Sequence, residues 1–194
     1  MVPSYCSLVI HFNPFALSVI AIEKLIRDLW EPALAVEKKG GKTVLIPTLY
    51  GGNFGPDIKT VSDLTGLSPK EIIKRHSAAQ YLVYALGFSP GFPYLGGLDE
   101  GLKCSRLSSP RLNVPAGSVA IADAQTGIYP VASPGGWRII GRTPVKIFDH
   151  ELDPPSIIDP GDFIKFQPLD DEEAYIHIRD QVEQRKFEIE VILS

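Results

Sequence analysis

The stretch from Gly87 to Gly136 constrains the fold more than any other part of this sequence. It holds nine of the seventeen glycines, together with several prolines and aromatic residues. Glycine reaches backbone conformations that are closed to other residues, and proline fixes φ and lacks an amide hydrogen. The combination predicts rigid loops that carry aromatic side chains. We expect these loops to line a functional surface, the alternative being the turns of an ordinary β domain.

Residues 1–86 alternate between strand and helix patterns, as an α+β domain does. Asn13 followed by Pro14 is typical of a helix start, and apolar residues recur at helical spacing up to Trp30. Ser68-Pro69-Lys70-Glu71 is a capping box that opens a later helix. The predicted strands are 7–12, 42–47 and 81–87, and the predicted helices are 14–30, 58–65 and 69–77.

Residues 87–194 are richer in strand patterns. Short extended segments separated by turn residues are typical of a small barrel or sandwich. The acidic residues around Asp171 favour a helix N-terminus, and apolar residues alternating with glutamates predict a final strand from Phe187. The predicted extended segments are 118–122, 127–131, 138–141, 145–148 and 163–166. The composition shift at Gly87 predicts two domains, at 1–86 and 87–194.

Composition excludes several classes of function. A net charge of −4 leaves no basic stripe for nucleic acid, and no apolar run reaches the roughly 18 residues of a membrane span. Two distant cysteines are typical of a reduced, cytoplasmic protein. The four histidines are scattered, so no metal cluster is expected. There is no Walker-type loop and no GxSxG motif, which favours a site assembled with a partner.

Several long motifs resemble those of one family. GFSPGFPYLGGLD, VPAGSVAIADAQTGIYPVASPGGW and IIGRTP are similar to the signature of the family of the 5-oxoprolinase B subunit. This family is also known as allophanate hydrolase subunit 1, and it includes the Kip-type inhibitor of a sporulation kinase. VPSYCSLVIHFNP, IPTLYGGNFGPDI and TGLSPKEIIKRHSAAQYLVY resemble the same family in the same order, so the resemblance extends to about Pro168.

The resemblance implies a fold and a set of partners. The fold is a small ferredoxin-like α+β domain followed by a cyclophilin-like β-barrel. Family members begin with a further strand and helix before the segment matching Val2-Pro3-Ser4-Tyr5, so the opening βα unit is expected to be absent here. Two partners are implied, the C subunit, which is cyclophilin-like, and the A subunit, which is sugar-lactamase-like.

The resemblance also implies the ATP-dependent opening of 5-oxo-L-proline to L-glutamate. ATP is expected at a site shared with or held by a partner subunit, with no metal beyond the Mg²⁺ that accompanies ATP. A lactam is a poor electrophile, so donors must stabilise its developing negative charge. Backbone N–H groups of Gly135 and Gly136 and the guanidinium of Arg142 are the expected donors. The alternative for Arg142 is a turn-capping ion pair.

His76 is the expected proton-transfer group, because imidazole titrates near neutrality. The alternative is a cation that interacts with the dipole at a helix C-terminus. Together with Arg142 it makes up the expected catalytic set.

The expected binding positions lie in the glycine-rich stretch and just after it. Phe88, Phe92 and Tyr94 form an aromatic wall over a small ring, or else pack in the core. Amide and hydroxyl groups of Gln125, Thr126 and Tyr129 orient a carbonyl or carboxylate, or else belong to a simple turn. The remaining expected substrate- or partner-binding residues are Pro90, Gly91, Pro115, Gly117, Pro134, Trp137 and Thr143. For Trp137 the alternative is packing in the core.

A second hypothesis is a binding module that docks on a sensor histidine kinase and blocks its phosphotransfer. The cyclophilin-like resemblance suits both hypotheses, because such a barrel binds peptide-like groups in an aromatic groove. We favour the enzyme subunit over the inhibitor.

Overall fold

The structure is a computed structural model that describes residues 2–4, 7–35 and 41–193. It divides into two compact units, Met1–Gly40 and Gly41–Ser194. In the first unit, strands β1 (Val2–Ser4) and β2 (Ser7–Val9) pair in antiparallel fashion and precede helix α1 (Val19–Ala35).

Helix α1 begins later than the sequence predicts. Asn13 forms a turn instead of a helix cap, since its side chain accepts a hydrogen bond from the amide of Phe15 at 2.9 Å. The Ser18 hydroxyl then accepts from the amide of Ala21 at 3.2 Å. Ser18 therefore caps the helix, because it immediately precedes the first helical residue.

The second unit is a closed barrel of seven strands. In their order around the barrel, the strands are linked β10–β7–β8–β5–β4–β11–β3, and β10 pairs again with β3 through Gly141–Tyr50 and Arg142–Leu49. All neighbours are antiparallel except β11 and β3, which are parallel. The barrel strands are β3 (Thr43–Tyr50), β4 (Tyr81–Leu86), β5 (Pro93–Gly96), β7 (Ser118–Ala122), β8 (Gln125–Ile128), β10 (Arg138–Arg142) and β11 (Phe163–Pro168).

Three further strands lie outside the ring. β6 (Arg111–Val114) and β9 (Ser133–Gly135) form a separate antiparallel ribbon, and β12 (Val191–Ile192) pairs with the start of β3. The predicted final strand is thus reduced to two residues. The predicted segment 145–148 is not a strand, and only an isolated bridge joins Phe148 to Ser156.

The helices of the second unit begin where the sequence predicts. Helices α2 (Ile58–Thr65) and α3 (Pro69–Ala78) follow β3, and α4 (Glu172–Glu183) follows β11. The capping box is confirmed, since the Ser68 side chain accepts from the amide of Glu71 at 3.2 Å. Asp171 caps α4 in the same way, accepting from the amide of Ala174 at 2.9 Å. A 3-10 helix occupies Glu100–Leu102.

Two groups of buried side chains form the core of this unit. The larger group fills the barrel and its helix contacts, with Ile46, Val83, Leu95 and Phe166 among its members. The smaller group is built on Phe92 and consists of Phe92, Val114, Ala120, Ala122, Tyr129, Trp137 and Ile139, with Tyr94 packed against it. The predicted α+β class and closed β-barrel are confirmed.

The boundary between the two units lies between Gly40 and Gly41, whereas the sequence predicts a boundary at Gly87. Gly87 lies inside the second unit, because β4 before it pairs with β5 after it through Leu82–Gly96 and Leu86–Pro93. β3 and β4, predicted to belong to a ferredoxin-like domain, are barrel strands. The change in composition at Gly87 marks a change in loop chemistry and does not mark a boundary in packing.

Gly117 shows how closely the backbone segments cross at one end of the barrel. Its φ is +77°, and a Cβ built there would overlap the carbonyl oxygen of Thr143. Its amide also donates to the carbonyl of Tyr129 at 2.7 Å. The position of Gly117 is therefore explained by backbone packing.

We predict that Gly117→Ala destabilises the protein more than Gly66→Ala does. Gly66 has a similar φ of +71° but open space around it, so its substitution should cost only the left-handed conformation, about 1–2 kcal/mol. Gly117→Ala should add about 1–3 kcal/mol, because the Thr143 backbone must move. Denaturant unfolding of the two variants measures the difference in the free energy of unfolding, and equal costs would contradict this packing.

Candidate functional site

A cavity of about 530 Å³ opens beside β5, β8 and the turn between β9 and β10. We call it the aromatic groove. Nine of its lining residues are ones that the sequence predicts: Phe88, Phe92, Tyr94, Gln125, Tyr129, Pro134, Gly135, Gly136 and Trp137. Arg106, Leu107 and Pro110 complete the lining. The structure therefore brings together the largest part of the expected binding set.

Phe92 is the centre of the groove's aromatic cluster. Its ring makes edge-on contacts with Tyr94, Tyr129 and Trp137, with centroids 5.1, 5.2 and 5.4 Å away. Such edge-to-face pairs are favoured by the ring quadrupoles. Gly127 on β8 allows this packing, because a Cβ there would lie 3.0 Å from both Phe92 and Trp137. Phe92 and Tyr94 therefore pack in the core, and their expected role as a wall over a small ring stays a prediction.

Phe88 lies at the mouth of the groove in a strained backbone conformation. Its φ is +66°, and the amide of Ser89 bonds to the carbonyl of Gly87 across it at 2.8 Å. A further bond from Gly87 N to Phe92 O closes the loop. The side chain is 67% exposed while its ring contacts Phe92 at 5.6 Å. Strain of this kind in a bulky residue is typical of functional sites.

Tyr129 and the β9 strand form a polar floor. Burial raises the pKa of the Tyr129 phenol, opposed by a hydrogen bond from the Trp137 backbone. Gly135 is required there, because a Cβ would overlap the Tyr129 hydroxyl oxygen. The neutral phenol is thus held directly beneath the SPGG turn.

The β6–β9 ribbon is fastened to the barrel by an ion pair that no sequence motif indicates. Arg111 Nη2 donates to Asp57 Oδ1 at 2.6 Å, and Asp57 Oδ2 accepts from the amide of Ile139 at 2.7 Å. Arg111 lies opposite Gly135 in the ribbon. The buried Asp57 carboxylate therefore links β10 to the ribbon that carries one rim of the groove.

Arg106 lies on a wall segment whose backbone is fixed on both sides. The carbonyl of Ser105 accepts from Arg138 Nε at 2.7 Å, and the amide of Leu107 donates to the carbonyl of Gly136 at 2.8 Å. Arg106 Nε lies 3.2 Å from Asp123 Oδ2. Sequence reasoning missed Arg106 as a groove residue, because its partners are distant in sequence and no motif includes it.

His76 is completely buried and does not line the groove. Thr126 Oγ1 donates to the carbonyl of Ala120, so it accepts from His76 Nε2–H at 2.9 Å. Nδ1 consequently accepts from the Tyr50 hydroxyl at 2.8 Å. Burial lowers the pKa of His76 to about 3. Neither expected role, proton transfer or a cation at a helix end, fits a neutral imidazole with both nitrogens bonded inside the core.

Thr126 lies in the buried network with His76, on the opposite side of the strand from Gln125. Successive residues of a strand point to opposite faces, so Gln125 lines the groove while Thr126 is buried against His76. Of the expected trio, Gln125 and Tyr129 line the groove and Thr126 lies in the buried network.

Arg142 lies at the other end of the barrel wall. Its guanidinium lies over the Phe54 ring at 5.7 Å, and its Nε has no hydrogen-bond partner among the described residues. It is not among the groove residues, and neither is Thr143, whose hydroxyl accepts from the amide of Val145 at 3.1 Å. The structure therefore does not bring Arg142 together with the backbone N–H groups of Gly135 and Gly136.

Three other expected binding residues lie outside the groove lining. Gly91 has a φ of +77° and packs where a Cβ would lie 2.7 Å from Phe148 Cγ, next to the exposed Pro90. Pro115 accepts from the amide of Ser118 at 3.3 Å in a turn leading into β7. These residues shape loops around the barrel ends.

The described residues also limit other chemistry. They hold no group of three or more histidine, cysteine, aspartate or glutamate side chains placed to bind a metal ion. Cys104 is buried, and burial raises the pKa of its thiol. No helix in the described ranges combines the length and the apolar character that a membrane span needs.

The comparisons with known proteins define the class of this protein. The family described as the carboxyltransferase domain, subdomain C and D, matches residues 1–158, so the chain belongs to that family. The chain is 48% identical over 156 residues to the 5-oxoprolinase B subunit of Escherichia coli O157:H7. The aligned region covers 80% of this chain and 71% of that protein. The chain is 46% identical over 136 residues to the 5-oxoprolinase B subunit of Bacillus subtilis strain 168, covering 70% and 57%. The family resemblance stated from the motifs is confirmed.

Two solved structures share the fold of this chain. A conserved uncharacterized protein from Pyrococcus horikoshii superposes with a TM-score of 0.67 at 49% identity, covering 84% of this chain and 75% of that one. The urea carboxylase of Kluyveromyces lactis superposes with a TM-score of 0.73 at 22% identity, covering 94% and 19%. At that identity the second likeness shows the fold alone.

We predict that His76 stays neutral from pH 8 down to about pH 4, as the Nε2–H tautomer. Because its folded pKa of about 3 lies below the ordinary 6.5, its contribution to stability is complete above pH 6.5. As the pH falls toward 3, that contribution is lost at about 1.4 kcal/mol per pH unit. Nitrogen chemical shifts of the His76 imidazole measure both its protonation state and its tautomer. A titration near pH 6.5, or an Nδ1–H tautomer, would contradict the buried network.

Proposed function

We propose that this chain is the B subunit of an ATP-dependent 5-oxoprolinase complex that opens 5-oxo-L-proline to L-glutamate. The proposal is carried by the 48% identity to a 5-oxoprolinase B subunit over 80% of the chain. The aromatic groove supports it, because its size and its mixture of rings with amide, phenol and guanidinium groups suit a small cyclic amide acid.

In this proposal the groove binds and orients the lactam but does not cleave it. Its described lining contains no carboxylate, thiol, imidazole or aliphatic hydroxyl that would act as nucleophile or general base. The side-chain groups of this lining that can hydrogen-bond the lactam are the Gln125 amide, the phenols of Tyr94 and Tyr129, the Trp137 indole and the Arg106 guanidinium. A partner subunit therefore supplies the groups that activate the lactam and the attacking water.

The groove does not fit ATP. Arg106 is the one cationic side chain among its described lining residues, and the other lining groups are largely apolar. A triphosphate needs several cations or a glycine-rich loop at a helix N-terminus. We therefore propose that ATP, with its Mg²⁺, is held by a partner subunit. The proposed partners are the cyclophilin-like C subunit, which would be a second barrel of the same kind, and the sugar-lactamase-like A subunit.

The kinase-inhibitor hypothesis has no observation in its favour. The Escherichia coli and Bacillus subtilis relatives compared above are both named as 5-oxoprolinase B subunits.

We predict that the purified chain alone does not cleave 5-oxoproline, and that adding the two partner subunits gives ATP-dependent formation of glutamate. The reason is the absence of a nucleophile and base in the described lining of the groove. Coupled detection of ADP and glutamate measures the reaction. Full turnover by the chain alone, or an equally active complex that lacks it, would contradict the proposal.

A groove variant makes the same assay more specific. Phe88→Ala removes an exposed ring at the groove mouth, and loss of its contact with the substrate should raise KM about five- to thirtyfold, from about 1–2 kcal/mol of apolar burial. Leu112→Ala is the matched control, because Leu112 is 91% exposed on β6 and does not line the groove. If both variants change KM equally, the groove is not the substrate site.

A further inference from the structure

We propose that Arg106 determines the specificity of the aromatic groove by binding the carboxylate of its ligand, and that Asp123 competes for the same guanidinium. This role of Arg106 rests on the proposed function for the identity of the ligand as a cyclic amide with one carboxylate. It assigns a function to a residue that no motif in the sequence marks.

The backbone around Arg106 is held in place. Hydrogen bonds fix it on both sides, from Arg138 Nε to the Ser105 carbonyl and from the Leu107 amide to the Gly136 carbonyl. The Arg106 side chain is 65% exposed, yet it belongs to the groove lining. A long side chain on an immobile backbone loses less entropy on binding than one on a mobile loop. Arg106 is thus presented to the groove opening by a fixed wall.

Arg106 also supplies the charge of the groove. Within the described lining, Arg106 carries a full charge, and the other side chains are aromatic, aliphatic or neutral polar. A guanidinium binds a carboxylate through two parallel N–H···O bonds, which neutral groups do not offer. One cation at the end of an aromatic groove matches a ligand with an uncharged ring and a single negative charge. It does not match a neutral lactam or a multiply charged phosphate ester.

In the structure, the guanidinium of Arg106 is paired with a carboxylate that a ligand can replace. Its Nε contacts Asp123 Oδ2 at 3.2 Å, and the two side chains are 65% and 60% exposed. An exposed ion pair of this kind contributes little free energy, so a ligand carboxylate is able to displace it. Asp123 is kept beside Arg106 by a backbone bond from its amide to the Cys104 carbonyl at 2.8 Å. The carboxylate of Asp123 is therefore placed to compete with a ligand carboxylate for the Arg106 guanidinium.

The competition gives a test in which two substitutions act in opposite directions. Arg106→Gln removes the charge, and it should weaken binding of 5-oxo-L-proline roughly ten- to hundredfold, the worth of a charge-assisted bond. Asp123→Asn removes the competitor, and it should tighten binding about 1.5- to fivefold. Asparagine suits the position, because Asp123 has a φ of +52° and asparagine tolerates left-handed backbone.

The experiment titrates the 194-residue chain with 5-oxo-L-proline and with 2-pyrrolidinone, which has the same lactam ring but no carboxylate. The readout is the NMR shift of the Trp137 indole N–H, with Trp30, which lies in the other unit, as the internal reference. Arg179→Gln is the matched control, because Arg179 is an exposed, ion-paired arginine outside the groove. We expect 5-oxo-L-proline to bind at least tenfold more tightly than 2-pyrrolidinone. Added salt should weaken the binding of 5-oxo-L-proline and leave the binding of 2-pyrrolidinone unchanged.

Each result has a definite meaning. The proposed role of Arg106 would be overturned by equal affinity for the two ligands. It would also be overturned by an unchanged affinity for 5-oxo-L-proline in Arg106→Gln, or by weaker binding in Asp123→Asn. The absence of a saturable Trp137 shift with either ligand would also overturn it. Failure of the proposed function is seen separately, as a complex with partner subunits that forms no glutamate although the chain binds 5-oxo-L-proline selectively.

Discussion

Closure of the barrel between β3 and β10 is the constraint on which the groove depends. The joint consists of Gly141–Tyr50 and Arg142–Leu49, and its tightness requires a glycine at 141, where a Cβ would lie 2.9 Å from the Leu49 carbonyl oxygen. Closure fixes β10, whose Ile139 amide binds the Asp57 carboxylate. Because Asp57 also holds Arg111 on the β6–β9 ribbon, barrel closure sets the position of the groove rim.

A buried polar network supports the opposite side of the groove. The chain of hydrogen bonds from Tyr50 through His76 and Thr126 to the Ala120 carbonyl joins β3, α3, β8 and β7. Each member has a partner, which keeps the desolvation cost of these polar groups small. Thr126 is adjacent to Gln125, so the network fixes the strand that presents the Gln125 amide to the groove. Thr126 on β8 therefore has a structural role, while its neighbour Gln125 lines the groove.

The sequence predicts those parts of the structure that depend on local chemistry. The capping box at Ser68 is confirmed because it needs only neighbouring residues, and most groove residues lie in the glycine-rich stretch because tight turns and close ring packing require glycine there. Burial and direction of side chains depend on tertiary contacts. For this reason the sequence predicts a site role for His76, which lies in the core. It gives no indication of Arg106 at the groove, because its partner Asp123 is seventeen residues away.

The most direct test of the aromatic groove as the lactam site is to locate 5-oxo-L-proline on the protein by intermolecular nuclear Overhauser effects. Isotope-labelled 5-oxo-L-proline added to the full chain should show contacts from its ring protons to the aromatic protons of Phe88, Tyr94 and Trp137, which line the groove. Contacts confined to residues outside the aromatic groove, or none at ligand concentrations that saturate the reconstituted complex, would contradict the claim that this groove is the binding site of the lactam.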